Sequence, residues 1–225
     1  EGGEKVTINA VWDGRAEARA IGDMVEDLQC QKQPLNEMAV LVRAGFQTRE
    51  FEENFLSLGI PYRIIGGVRF YERAEIRDAL CYLRLVYQQS DDLAFERIIN
   101  TPKRGLGEAS LQIIYQLARA QNSSLFAAAS SLILSDELKT QAKRSLAQFV
   151  DNIVRWHSQR SNLPPAALAE MILEESGYTT MWQMHKSPDA PGRLENLKEL
   201  VSAIGEFDSL SGFLEHISLV MDNET

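Results

Sequence analysis

The sequence is poor in the residues that organise many small functional modules. Its two cysteines, Cys30 and Cys81, and three histidines, His157, His185 and His216, show no Cys-x-x-Cys or His-x-x-x-His spacing. That excludes a zinc cluster or a disulfide framework as the organising element, and two isolated thiols point to a reducing cytoplasm. No run of about 18 apolar residues occurs, so neither a membrane span nor a membrane partner is expected. Neither a Gly-x-x-x-x-Gly-Lys-Ser/Thr loop nor a Gly-x-Ser-x-Gly elbow is present, so these residues have no P-loop and no nucleophile elbow. The acidic pairs Glu52-Glu53 and Glu174-Glu175 fall on amphipathic helical stretches, where a solvated face explains them. No catalytic residue, metal ligand or bound cofactor is identified in the chain. Methionine is absent from the first position and a basic-then-apolar leader is lacking, while Asn223-Glu224-Thr225 closes the chain with no capping signal; the expectation is an internal piece of a longer protein.

Cations are also in deficit. Lys and Arg number 23 against 32 Asp and Glu, a net charge of −9, and such a balance taken alone disfavours a phosphate-rich partner. Net charge sets the long-range field, however, while grip depends on where a few cations and free backbone N–H groups stand.

What is present is a globular composition, 44% hydrophobic and 24% charged over 225 residues, arranged in two textures. The first alternates strand and helix signals. Val6 to Val11, the apolar run Met38 to Val42, and Tyr62 to Ile65 read as strands; Arg15 to Cys30 and Thr48 to Leu58 read as helices, the latter stopped by Gly59. This order predicts a partial parallel α/β sheet, incomplete at this size. Beyond it, helical spacing dominates: 74–88, 93–100, 108–121, 124–134, 136–159, 165–176, 193–207 and 211–221, with breakers at Thr101-Pro102, Asn122-Ser123, Leu163-Pro164-Pro165 and 187–192. The fold class expected is therefore α/β followed by an all-α subdomain, mostly helical overall, with a boundary in the polar stretch 88–92 and domains at 1–90 and 91–225.

One loop carries candidate chemistry. In Thr101-Pro102-Lys103-Arg104-Gly105-Leu106-Gly107-Glu108, two glycines just before a helix allow close backbone approach and leave the first N–H groups of that helix unpaired. With Lys103, Arg104 and the Thr101 hydroxyl beside them, these groups suit a backbone phosphate; spacing alone favours a tight helix-to-helix turn with Leu106 in the core. A second set, Gly66-Gly67-Val68-Arg69-Phe70-Tyr71-Glu72-Arg73 with Arg77 and Arg84, interleaves aromatics and arginines, which fits either stacking on bases or a packed corner. Arg43 follows an expected strand end, where parallel sheets place ligands.

Taken together, Ala39-Val40-Leu41-Val42-Arg43, Gln47-Thr48-Arg49, the long run Gly59 to Leu85, Ala94 to Pro102, Arg104-Gly105-Leu106-Gly107 and Arg193 to Leu200 closely resemble, in order, the second motor domain of superfamily 1 DNA helicases of the UvrD/PcrA/Rep type. The likeness spans nearly the whole chain and is weakest between about residues 123 and 178. It implies the first part of a RecA-like domain 2A, to residue 90, and the helical 2B insertion at 91–225. The parent would be an ATP-dependent 3′ to 5′ helicase of repair or replication, using ATP and Mg bound outside this chain. DNA at a single-strand/duplex junction would be the partner, with repair or replication proteins as further candidates. The same resemblance implies a duplex grip at Thr101, Lys103, Arg104, Gly105, Leu106 and Gly107, with Leu106 standing for the usual Ile and Lys103 where a Thr often stands. Arg43 matches a single-strand backbone contact, the family's neighbouring Asn being Gly45 here, and Gly66, Gly67, Arg69 and Arg73 fall in the joining motif as hinge or DNA-proximal residues. Two other readings stay open: a protein-docking, autoinhibitory helical module, and a segment of a RecB/AddA-type helicase-nuclease.

Overall fold

The computed structural model describes residues 5–222, so the chain end at Asn223 to Thr225 lies outside the described residues. Two compact units divide the chain, Glu1–Phe70 and Tyr71–Thr225.

In the first unit, α1 (Gly14–Cys30) begins where the Asp13 carboxylate accepts the Ala16 N–H at 2.7 Å, a side-chain N-cap. Helix α2 (Thr48–Leu58) ends at Gly59, whose φ of +67° is left-handed, and Ile60 N–H returns to the Phe55 carbonyl at 2.8 Å. The two helices bury Ala18, Val25, Phe51, Phe55 and Ile60, with Ile21, Leu35, Met38 and Tyr62 packed against them. Asn54 Nδ2 clasps the pair by donating to the Ala18 carbonyl at 2.9 Å.

The expected parallel sheet is not there: no strand occurs among the described residues, and the first unit is helical like the second. The segments 6–11, 38–42 and 62–65 carry no regular pairing, and Val6 (91% exposed), Ile8 (91%), Leu41 (94%) and Ile65 (83%) face outward. The physical reason is that an apolar run expresses a strand preference which only a partner ladder at about 4.8 Å can realise. None of these segments has such a partner. The Met38 to Val42 run has the composition of a doubly buried strand, yet the α1/α2 core takes in Met38 alone from that run.

The second unit is an assembly around α3 (Ala74–Tyr87). Ile76, Ala79, Leu80, Tyr82, Leu83, Leu85 and Val86 are buried on nearly all sides, as expected of a central helix. Around it lie α4 (Asp92–Ile98), α5 (Glu108–Gln121), α6 (Leu125–Ile133), α7 (Thr140–Gln159), α8 (Pro165–Glu175), α9 (Tyr178–Gln183), α10 (Ala190–Ile204) and α11 (Leu210–Asp222). Local sequence sets their starts: Asp91 and Ser124 cap α4 and α6 by accepting the N–H groups of Ala94 and Ala127, and Pro165 opens α8 at its first turn. Asn122, at φ +48°, closes α5. The long α7 supplies Trp156, the largest of the fully buried side chains, together with Phe149. Helix α9 is not foreseen by the sequence pattern. Its six residues are too few to show a period, and Gly177 at φ +78° sets it off from α8.

Candidate nucleic-acid interface

The segment between α4 and α5 is built from the inside outward. Asn100 accepts the N–H groups of Arg104 (3.3 Å) and Leu106 (3.4 Å) on its Oδ1 and donates Nδ2 to the Leu106 carbonyl, so one amide side chain fixes both ends of the turn. Leu106 is buried, Gly105 has φ +72°, and the Thr101-Pro102 peptide is cis. Tyr82 Oη, from α3, donates to the Thr101 carbonyl at 2.6 Å. Burial raises the pKa of the Tyr82 hydroxyl against the opposing pull of Arg104, so it remains a donor at neutral pH.

The two cations of this loop do different things. Lys103 is exposed and makes no hydrogen bond or ion pair among the described residues. Arg104 is half-buried: Nη1 donates to the carbonyls of Ile98 (2.8 Å), Ile99 (3.0 Å) and Pro102 (3.2 Å), Nη2 to Tyr82 Oη, and the guanidinium lies 4.9 Å from the Phe149 ring centre. The outward face is therefore Lys103 with the exposed Gly105 and Gly107. Gly107 is the N-cap of α5, and no side chain caps that helix. Ser110 N–H turns back to the Gly107 carbonyl at 2.9 Å, which leaves the N–H groups of Glu108 and Ala109 to meet an anion. A Cβ added at Gly107 meets nothing within 4 Å, so the bare backbone there is not demanded by packing inside the chain. Glu108, in the first turn of α5, accepts from Gln112 Nε2 at 2.8 Å.

Of the remaining sequence-derived residues, Arg43, Gly66, Gly67 and Arg69 belong to the first unit and Arg73 to the second. Arg43 is exposed just ahead of a short 3-10 turn, Gly45–Gln47, and its backbone N–H and that of Ala44 both donate to Gln47 Oε1 at 2.9 Å. Gly66, at φ +89°, and Gly67 are exposed with open space around them. Arg69 stands 6.0 Å from the Tyr62 ring centre. Arg73 precedes α3 and donates to Asn196 Oδ1 at 2.9 Å; Asn196 in turn donates to the buried Glu75, which Arg193 pairs at 2.8 Å. That network ties α3 to α10. A parallel tie is Asp78, which accepts from Arg97 Nε (2.6 Å) and Tyr178 Oη (2.9 Å).

Sequence reasoning missed Asn100 and Tyr82. Asn100 could have been found, because an Asn directly before a Thr-Pro turn commonly bonds nearby backbone. Tyr82 could not, since nothing along α3 shows which loop its hydroxyl meets. Among the described residues, no group of three or more His, Cys, Asp and Glu is placed to hold a metal ion, and no helix is long and apolar enough to cross a membrane. His157 bonds the Val86 carbonyl through Nδ1 at 2.8 Å, while His185 and His216 pack against Trp182 and Phe207.

Comparison with known proteins gives this geometry a context. The profile of the UvrD-like helicase C-terminal domain matches residues 1–225. A probable DNA helicase II homolog of Rickettsia felis is 45% identical over 225 residues, which is 100% of this chain and 34% of the relative. DNA helicase II of Escherichia coli is 34% identical over 226 residues, covering 96% of this chain and 31% of its own length. The ATP-dependent DNA helicase PcrA of Leuconostoc citreum is 35% identical over 207 residues, covering 92% and 28% respectively. The chain thus spans about a third of the length of these relatives. Because the match runs from the first residue to the last and takes in both compact units, the chain belongs to the UvrD-like helicase C-terminal domain family.

Proposed function

We propose that the protein containing this chain is an ATP-dependent DNA helicase working 3′ to 5′ in the cytoplasm, with ATP and Mg bound by residues outside this chain. The part played by this chain is to hold DNA. In that reading residues 1–90 correspond to the first part of motor domain 2A and 91–225 to the 2B insertion, with α3 leading up to the boundary. The observation that carries the role is the outward face of the 101–107 loop: an exposed lysine, two exposed glycines, and a helix start that no side chain caps. Such a face holds phosphate through charge, N–H groups and helix dipole, and reads no bases. Arg43 is assigned to the single strand. Gly66, Gly67, Arg69 and Arg73 are assigned a hinge or DNA-proximal role, the hinge being supported by the position of Gly66 and Gly67 just before the division at Phe70.

The test is forked-DNA binding and unwinding by the full-length protein carrying Lys103→Ala or Gly107→Ala. Lys103→Ala should weaken duplex binding and lower the slope of log K against log salt by about one, the signature of a lost phosphate contact. Gly107→Ala meets no steric neighbour in the free protein, so any loss of affinity reports the close approach of DNA to that backbone. Unchanged binding in both variants would remove the grip assignment.

A further inference from the structure

We infer that Arg104 is a positioning residue, shaping the 101–107 loop from inside the fold and leaving phosphate contact to Lys103 and the backbone; the inference rests on the reading of this loop as the duplex grip. Ile98 ends α4 and Ile99 caps it, at the helix end where a cation is favoured; the Ile98 carbonyl also accepts the Thr101 N–H at 3.1 Å. Arg104 Nη1 serves the carbonyls of Ile98, Ile99 and Pro102, so one atom joins the end of α4 to the loop. Nη2 meets the Tyr82 hydroxyl, which passes its own hydrogen to Thr101. The guanidinium face lies over Phe149, a residue of α7. Turning the side chain out towards a phosphate would take this donor from the Ile99 and Pro102 carbonyls and the cation from Phe149, while the Ile98 carbonyl would keep the Thr101 N–H at 3.1 Å. Half-buried polar groups without partners are costly, so the outward rotamer is disfavoured.

The chemistry is specific to arginine. A planar fork can serve several carbonyls, a hydroxyl and a ring face together; a lysine ammonium is a single point donor. Asn100 acts beside it, fixing both backbone groups of Leu106. Division of labour follows: Arg104, Asn100 and Tyr82 set the loop's shape, and Lys103, Gly105 and Gly107 present it.

Arg104→Lys, Arg104→Gln, Tyr82→Phe and Lys103→Ala separate shape from charge. Each is made in the full-length protein and compared at a temperature where all variants are folded. Two quantities are read: forked-duplex affinity over a salt series, and hydrogen exchange of amides 103–108 without DNA. A shaping role predicts that Arg104→Lys, although it keeps the charge, loses affinity as fully as Arg104→Gln, about tenfold, as expected for losing a hydrogen bond from a charged group. Tyr82→Phe should fall in the same direction with no charge altered, and all three should exchange faster at 103–108. Lys103→Ala should leave exchange unchanged. Full rescue by Arg104→Lys, together with a slope lowered by about one in Arg104→Gln alone, would mean direct phosphate contact and overturn the proposal. Faster exchange with undiminished affinity overturns it as well. If the unsubstituted protein fails to bind duplex, the grip itself falls, while the exchange data still decide whether Arg104 holds the loop.

Discussion

At Gly105 the chain adopts φ +72°, and a Cβ added there would meet nothing within 4 Å, so the demand is conformational rather than steric. Gly105→Ala should lower stability by about 1 kcal/mol, read as a shifted urea midpoint with unchanged m-value, because a left-handed L-residue meets its own carbonyl. Two buried tyrosines make a pH prediction. Burial raises Tyr82, and burial with the nearby Asp78 carboxylate raises Tyr178. A folded value above the unfolded one means the contribution is complete below the unfolded pKa of about 10 and is lost as pH climbs through the folded values. Stability should therefore be flat through neutral pH and fall on the alkaline side, with tyrosinate absorbance appearing late and together with unfolding. Tyr82→Phe should reduce that alkaline fall; an early tyrosinate signal in the native protein would contradict the burial argument. Cys81 is buried too and its thiol is raised by that burial, so it should resist alkylation until the second unit unfolds, whereas Cys30 is exposed.

Among the elements, α1 and α2 depend on close approach. A Cβ at Gly22 would meet the Asn54 side chain and stand 2.7 Å from Leu58 Cδ1, on the face where Asn54 clasps Ala18. Gly22→Leu should cost roughly 1–3 kcal/mol by overpacking, visible as earlier unfolding of the first unit with α3 to α11 undisturbed. Helix boundaries are largely legible in the sequence. Expectations at Thr48–Leu58 and Glu108–Gln121 coincide with α2 and α5, and Pro165 and Gly59 act where they are expected to. Capping and periodicity are local, so sequence carries them. The strands fail for the complementary reason: a helix closes its hydrogen bonds within itself, whereas a strand needs a second segment that sequence order alone does not supply.

For the molecule as a whole, the two units should differ in local stability. The first rests on one face between two helices; the second surrounds a central helix with Phe95, Phe149, Trp156, Ile172, Leu200 and Phe213. Native-state hydrogen exchange should show amides of α1 and α2 opening at lower free energy than those of α3, α7 and α10. Equal protection in both would count against that ordering. The candidate site is only half legible in the sequence. Its place in the chain follows from Gly-Leu-Gly before a helix, because backbone freedom and an uncapped helix start are local properties. Sequence by itself thus determined the helical segments other than α9, most of their stops, the family likeness and the position of one loop. Only the tertiary structure decided that the apolar segments of the first unit stay unpaired, and that of two adjacent cations Lys103 faces outward while Arg104 turns inward. Both are decisions about partners distant in sequence: Arg104 finds Tyr82 on α3 and Phe149 on α7, and its charge is committed to carbonyls and rings that adjacency along the chain does not reveal.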